Sequence, residues 1–466
     1  MSTDALSEKT KSIPKASGSI PLIGNTVEMA KDPAAFFLRC YRDHGPVYQI
    51  NVFGRKSYVI AGVEAAKFMT QKSKRDMLRS KEFWEDFRIH MGASKLLTGM
   101  DGPEHQKMRS IMRDGFSPRA IEGRYGDAVA LTDKALDRDW LSKDDVEVVE
   151  ACQFMIVQIL GDIMSGNAPM DYVRDIRLNI LFILNVLVTR QRPRFFLKFP
   201  SFKRAQARVN EMGQEMIGDF KERTKAGKLP DNLLGDIMRA HGEDPEFIQE
   251  RDLQLLLTGP YVAGLDTVAN TLAACVYGIL KTPGVLEKVQ QEADALYAKE
   301  SIGEEDIAGL DYIHGCIKEA MRLWPIAVAQ MRITTQDVEF EGHIIPEGEM
   351  IYIGTSVPHF MEEYFPDPQK FDPERSAPDR REHMKPGVYA PFGRGPHTCL
   401  GKNLAELLMA IAISRMFHRA DLQLDPPDYV LKTKSAPTPG PDMSFKIKVT
   451  GERNPKKEIH AEKALA

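Results

Sequence analysis

A chain of 466 residues with 62 basic and 66 acidic side chains carries almost no net charge, −4 at pH 7. That balance gives no electrostatic case for nucleic acid as the main partner, and a hydrophobic content of 43% is ordinary for a soluble globular protein. The length allows one large core or several domains.

The opening "MSTDALSEKTKSIPKASGS" is polar and no apolar core follows it, so no secretory signal is expected. Residues 1–30 read as a loosely held leader. "GPVYQINVFGRKSYVIAG" (Gly45 to Gly62) reads as two short strands around a glycine turn. From about Pro103 to Trp324 the pattern is mostly helical. The longest apolar runs, Asn179 to Val188 and Leu253 to Leu265, fall short of the roughly 18 residues of a membrane span. A cytoplasmic protein without a transmembrane anchor is therefore expected. Strand character returns at Val338 to Thr355, where apolar and polar residues alternate. A Pro- and Asp-rich stretch, "YFPDPQKFDPERSAPDRREH", then crosses the surface without regular structure. One more helix follows, and 456–466 read as a polar tail. The predicted fold is mainly α with a smaller β-rich part near 45–62 and 330–356 (α+β). Because that part draws on both ends of the chain, 31–455 read as a single interleaved domain.

Five cysteines, Cys40, Cys152, Cys275, Cys316 and Cys399, are scattered without CxxC spacing. Such a sparse, odd set fits a reducing compartment, and the first four read as small buried apolar residues.

"FGRGPHTCLGKNLA" (Phe392 to Ala405) is different: it frames Cys399 with Gly393, Gly395, Pro396 and Gly401, then turns helical. Glycines serve where backbone turns sharply or approaches a bulky flat group. An apolar helix beginning directly after the thiol favours thiolate through its positive end. A buried structural cysteine beside a turn is the plain alternative. A zinc site lacks a second ligand pair beside His397 and Cys399. A Walker loop fails because Pro396 stands where glycine is needed and Asn403 where Ser or Thr is needed.

Three other segments carry chemistry. "CIKEAMRLWP" places Glu319 and Arg322 on one helix face; read alone, they form a surface ion pair worth little. "TGPYVAGLDTVANTLA" (Thr258 to Ala273) is an apolar helix holding Asp266 and Thr267, which are costly to bury without a purpose. The plain reading puts Asp266 on a wet face and bonds Thr267 to a backbone carbonyl; Pro260 adds a distortion upstream. "DGPEHQKMRS" sets His105 and Arg109 four apart on one helix face.

Together these segments resemble the cytochrome P-450 (haem-thiolate monooxygenase) family. Phe392, Gly395, Cys399 and Gly401 match F-x-x-G-x-x-x-C-x-G, with His397 at the basic position two before the cysteine. Ala263 to Thr267 match the family's oxygen-binding helix, although Val268 replaces its usual second hydroxyl residue. Glu319 and Arg322 match E-x-x-R, and "FDPERS" supplies a second arginine, Arg375, with Ser376 where an aromatic is usual. His105 and Arg109, and Arg332 in "VAQMRITT", match propionate-binding positions. The likeness runs from about Pro21 to Val449 with the motifs in family order.

The resemblance implies haem b (iron protoporphyrin IX), with Cys399 as the iron's fifth ligand. It implies His105, Arg109, Arg332 and His397 on the propionates, Phe392 and Gly401 beside the haem, and a buried triad of Glu319, Arg322 and Arg375 behind the loop. Asp266 and Thr267 become the catalytic proton relay. The implied reaction inserts one oxygen atom of O2 into a lipophilic small molecule such as a terpenoid, steroid or fatty acyl compound. The chain shows no dinucleotide fingerprint and no clustered cysteines. A separate ferredoxin- or flavodoxin-type donor with its reductase is therefore implied, docking near Arg113 and Lys402 on a monomer. A peroxygenase or isomerase is the rival within haem chemistry, although such members commonly lack the acid–threonine pair. A haem sensor or carrier is the rival outside catalysis, and it needs neither residue. "RQRPRFFLKFPSFKR" (Arg190 to Arg204) reads as a lid loop with a solvated basic face, ahead of a membrane contact or a guide for anionic substrate.

Overall fold

The structure, a computed structural model, describes residues 11–456 and the backbone of 460–461. One sheet is assembled from β1 (Val47–Val52), β2 (Arg55–Ala61), β3 (Leu78–Arg79), β4 (Gln330–Thr334) and β5 (Met350–Gly354), in the order β1-β2-β5-β4-β3. The β2–β5 pairing is parallel and aligns Tyr58 with Ile351; the other pairings are antiparallel. This sheet therefore joins chain segments almost 300 residues apart. Strands Ala420–Leu424, Lys446–Glu452 and Asp145–Glu147 form a second sheet. A two-stranded hairpin pairs β6 (Thr433–Lys434) with β7 (Gly440–Pro441).

The helices that position the site are α1 (Gly102–Met112), α2 (Val148–Ser165), α3 (Val173–Ile183), α4 (Pro200–Lys225), α5 (Glu250–Lys281), α6 (Asp311–Leu323) and α7 (Lys402–Arg419). The central one is α5, whose 32 residues reach about 48 Å. Its start is fixed by a capping box between Gln249 and Asp252. The Asp252 carboxylate also accepts the Ser94 and Lys95 amides at 2.6 and 3.2 Å, tying the 94–95 turn to the helix. Its end falls just before Pro283, which disfavours helix for the residue preceding it. The helix continues through Pro260.

Leu253, Leu256, Leu257, Leu272 and Ile279 of α5 lie in the largest core cluster with residues of α2, α6 and α7. Each such side chain contributes about 1.5–3 kcal/mol by leaving water. That packing accounts for a feature the run-length reading missed. Both α2 and α5 are long and apolar enough to cross a membrane, but 83% and 72% of those windows are buried inside the fold.

Residues 1–10 of the expected leader, and the side chains of 457–466 in the expected tail, lie outside the described residues. The remainder of the leader is held rather than loose. Ala16 donates its amide to Gln49 at 2.8 Å, Asn25 donates to Asn51 at 2.7 Å, and Thr26–Lys31 is helical. The partner is β1, twenty-six or more residues ahead, so local composition gave no sign of the pairing.

Candidate functional site

Cys399 sits between two reversals of the backbone and the start of α7. Gly393 and Gly395 adopt φ of +72° and +82°, a region that L side chains adopt only with strain. A Cβ on Gly395 would lie 2.9 Å from the Met69 carbonyl oxygen. Gly401 differs from the expectation. Its φ is −85°, and it serves as the N-cap of α7. The loop is closed by the Cys399 amide donating to the Phe392 carbonyl at 3.0 Å. Gln330 brackets it from β4, accepting from the Arg394 amide (3.0 Å) and donating to the Arg394 carbonyl (3.2 Å).

The thiol of Cys399 is accessible to solvent, yet its surroundings desolvate it enough to raise its pKa. The Gly401 amide and the Arg109 charge pull the pKa down but do not overcome burial. The helix start does favour the charged form, through the Gly401 amide, but burial acts against it.

β4 serves a second cluster. Gln330 and Arg332 share one strand face at a spacing of two. Arg332 is buried, and its guanidinium donates to the Met331 carbonyl at 2.6 Å. Burial lowers its pKa to about 10. Across from it the rings of His105 and His397 stack, with centroids 4.2 Å apart and 20° between planes. Burial pushes His105 down to about 4, helped by the neighbouring His397 and Arg109. His397 pairs through Nε2 with Asp101 at 3.0 Å. Asp101 also accepts the Ser80 and Lys81 amides, and its pKa is lowered by these bonds against the effect of burial. Sequence reasoning missed Asp101 and Gln330. One clue was available: Asp101 directly precedes the helix that carries His105. Among the described residues, neither Arg109 nor Arg332 has a carboxylate within ion-pair distance. Two desolvated guanidiniums without carboxylate partners favour a bound anion, and an exposed thiol in a glycine-framed loop can take a metal cation. A haem would meet both demands, its carboxylates held by Arg109, Arg332 and the His pair and its iron by Cys399. The residues fit the group.

Behind the loop, the expected ion triad is present and larger than expected. Glu319 receives both prongs of Arg322, at 2.6 and 2.8 Å, and Nε of Arg375 at 3.2 Å. Arg375 in turn reaches Glu382 at 2.7 Å, and Arg380 clamps the same carboxylate. Arg322 also donates to the carbonyls of His359, Pro368 and Lys370. Glu319, Arg322 and Arg375 are all nearly inaccessible, so the reading as a surface pair is overturned. Glu382 was not anticipated, because no continuous helix joins it to Arg375: the two sit in separate short 3-10 turns, Pro373–Ser376 and Glu382–Met384.

On α5, Ala263 and Thr267 are exposed although the helix flanking them is buried. They form one exposed stripe, four residues apart, on an otherwise mostly buried helix. The Thr267 hydroxyl donates to the Ala263 carbonyl at 2.7 Å, leaving its oxygen free to accept. Asp266 is buried; Oδ1 accepts from Gln153 Nε2 of α2 at 2.7 Å, and Oδ2 has no protein partner. The wet face proposed for Asp266 is thus absent, and Gln153 is a partner that lies 113 positions away.

A glycine-framed thiol loop backed by a buried ion cluster, together with a buried acid beside an exposed threonine on α5, fits a haem-thiolate oxidoreductase. The family model for Cytochrome P450 matches residues 14–441, and the chain belongs to that family. It is an enzyme of the oxidoreductase class with haem b as its cofactor. Cyclooctat-9-en-7-ol 5-monooxygenase of Streptomyces melanosporofaciens is 26% identical over 417 residues, covering 87% of this chain and 88% of that one. Abscisic acid 8'-hydroxylase 2 of Arabidopsis thaliana is 25% identical over 420 residues, covering 88% and 84%. A retinoic acid-bound cyanobacterial CYP120A1 structure shares the fold, with a TM-score of 0.80 at 23% identity over 94% of this chain and 99% of that chain. Membership implies dioxygen, an electron donor and a lipophilic substrate.

Proposed function

We propose that this protein is a monooxygenase that inserts one oxygen atom of O2 into a C–H or C=C bond of a lipophilic small molecule. The observation that carries this is the acid–threonine pair, with a free carboxylate oxygen on Asp266 beside the exposed Thr267. Haem held by Cys399 supplies the dioxygen chemistry. The chain's own residues supply position and protons. Asp266 Oδ2, free of protein partners, accepts and releases a proton through water. Thr267 Oγ1, its hydrogen committed to Ala263, stays open to accept a hydrogen bond. Gln153 holds the carboxylate in place.

Among terpenoids, steroids and fatty acyl compounds, two relatives named for cyclooctat-9-en-7-ol and abscisic acid favour the terpenoid type. The test starts with a titration of the holoenzyme against a lipophilic library, read at the haem Soret band, followed by turnover of the compound that shifts it. Thr267→Ala is then expected to cut product per reducing equivalent by about 100-fold or more, while oxygen consumption continues and hydrogen peroxide accumulates. Product yield equal to that of the parent protein would remove Thr267 from the relay.

Electrons come from a separate ferredoxin- or flavodoxin-type protein docking on the Cys399 side. Arg113, at the end of α1, and Lys402, at the start of α7, are both exposed there. The double reversal Arg113→Glu with Lys402→Glu is expected to slow haem reduction by an acidic donor by about tenfold or more at low salt. Substrate titration should not change. Stopped-flow reduction rates decide it, and an unaltered rate moves the docking site elsewhere.

A further inference from the structure

The connection between α3 and α4 carries charge and aromatic rings that the mechanism does not use. Residues 176–210 contain eight basic side chains and no acidic one, in a chain whose net charge is −4. Six of the eight, Arg190, Arg192, Arg194, Lys198, Lys203 and Arg204, are exposed. Arg190 and Arg194 share Asp86 of the helix Lys81–His90, at 3.3 and 2.9 Å. Among the described residues, Arg192, Lys198, Lys203 and Arg204 have no carboxylate within ion-pair distance. Arg192 instead lies over the Phe196 ring, 5.1 Å from its centroid.

The same connection lifts two phenylalanines into solvent. Phe195 is 55% exposed and Phe199 39%. Neither is a loose side chain. Arg194–Lys198 forms a 3-10 turn preceded by Pro193, and Pro200 opens α4, so a proline ring restrains the backbone on either side. Phe196 links the two exposed rings, with centroids 4.7 Å from Phe195 and 4.8 Å from Phe199. Phe196 and Phe182 pack in turn against the buried cluster of Phe87, Phe202 and Leu255. The result is a fixed apolar tip flanked along the chain by unpaired cations.

Phenyl rings gain by leaving water, and exposed cations gain beside anionic headgroups. An anionic bilayer offers both at one surface. Arginine and lysine stems can lie along its apolar layer while their charges reach the headgroups. A protein partner would need a surface shaped to the tip. A nucleic acid would take the charges, but base stacking needs an open ring face, and Phe195 and Phe196 already stack on each other with 28° between planes. Solvation alone accounts for the cations but not for two rings held rigidly in water.

We propose that the 190–204 connection docks this protein peripherally on an anionic lipid bilayer, with Phe195 and Phe199 entering the interface and the unpaired cations meeting lipid headgroups. A lipophilic compound concentrates in such a bilayer, so docking there would bring the protein to the class of substrate its family takes.

Flotation of the holoenzyme with vesicles tests the contact. Vesicles of phosphatidylcholine with about one third phosphatidylserine are expected to bind it about tenfold or more tightly than phosphatidylcholine alone at low salt, and the advantage should shrink as salt rises. Phe195→Ser with Phe199→Ser should weaken binding to the anionic vesicles about tenfold or more. Arg192→Glu with Lys198→Glu should erase the preference for anionic over neutral vesicles. All four side chains are exposed, so the Soret band and circular dichroism of both variants should match the parent protein. The single Phe195→Ser serves if its double variant fails to fold. No binding to anionic vesicles, equal binding to both kinds, or binding that survives both double variants overturns the docking surface. So does displacement from the anionic vesicles by an equal charge of single-stranded oligonucleotide, which would assign the cations to nucleic acid.

Discussion

Cys399→Ser is expected to yield a folded protein that has lost the thiolate-type Soret band of its reduced, carbon monoxide-bound form and all oxygenase turnover. The fold does not depend on the sulfur. The side chain is exposed rather than packed in the core, and the loop is closed by the Cys399 amide and the Gln330 bracket, which serine leaves in place. Unfolding free energy measured without haem should therefore change by less than about 1 kcal/mol, as for a substitution away from the core. What changes is the ligand. A thiol needs only modest help to ionise beside a cation, and the Gly401 amide and Arg109 already offer some. A serine hydroxyl in the same desolvated place stays protonated and binds iron weakly. Spectra of the reconstituted variant decide the matter. A retained thiolate band would mean that another cysteine reaches the iron, and Cys40, Cys152, Cys275 and Cys316 are all buried.

Much of this site was readable because its parts are short and local. The glycines around Cys399, the i,i+3 pair of Glu319 and Arg322, and the acid–threonine pair are each confined to a few residues. The sequence did not reveal the bonds between them. Gln153 with Asp266, Gln330 with the Arg394 backbone, and Asp101 with His397 join residues 113, 64 and 296 positions apart. Only chain reversal brings such groups together, and one sequence carries no record of pairing. The desolvation that opposes the helix end at Cys399 was hidden for a related reason. The helix end is a local term and was visible, whereas desolvation is the sum over everything packed around the loop. The bonds of Ala16 and Asn25 were hidden likewise, since polar composition suggests looseness but the edge of β1 supplies partners. The β-rich part was legible from both ends because strand alternation is a period-two signal that needs no partner to be seen.

Glu319→Gln should lower the unfolding free energy by about 3–5 kcal/mol, the range for removing one partner of a buried ion pair. The side chain keeps its shape, so the loss is one of charge. Arg375 retains Glu382 at 2.7 Å. Among the described residues Arg322 has no other carboxylate within ion-pair distance, and it is left with the carbonyls of His359, Pro368 and Lys370, in a place where its side chain is 1% accessible. A guanidinium so enclosed keeps its proton, and its unbalanced charge strains the 359–375 segment it holds. That segment supports the loop of Cys399: the His359 ring accepts the Ala390 amide at 3.1 Å, three residues before Gly393. Haem retention should therefore fall along with stability. A control separates the buried cluster from charge loss in general. Glu150→Gln removes the partner of Arg174, whose side chain is 76% accessible, and should change stability by no more than about 1 kcal/mol. Urea denaturation of the holoenzyme, followed at the Soret band and by circular dichroism, measures both effects. If Glu319→Gln behaves like Glu150→Gln, the cluster carries little of the fold's stability, and the loop owes its position to Gln330 and the two glycines instead.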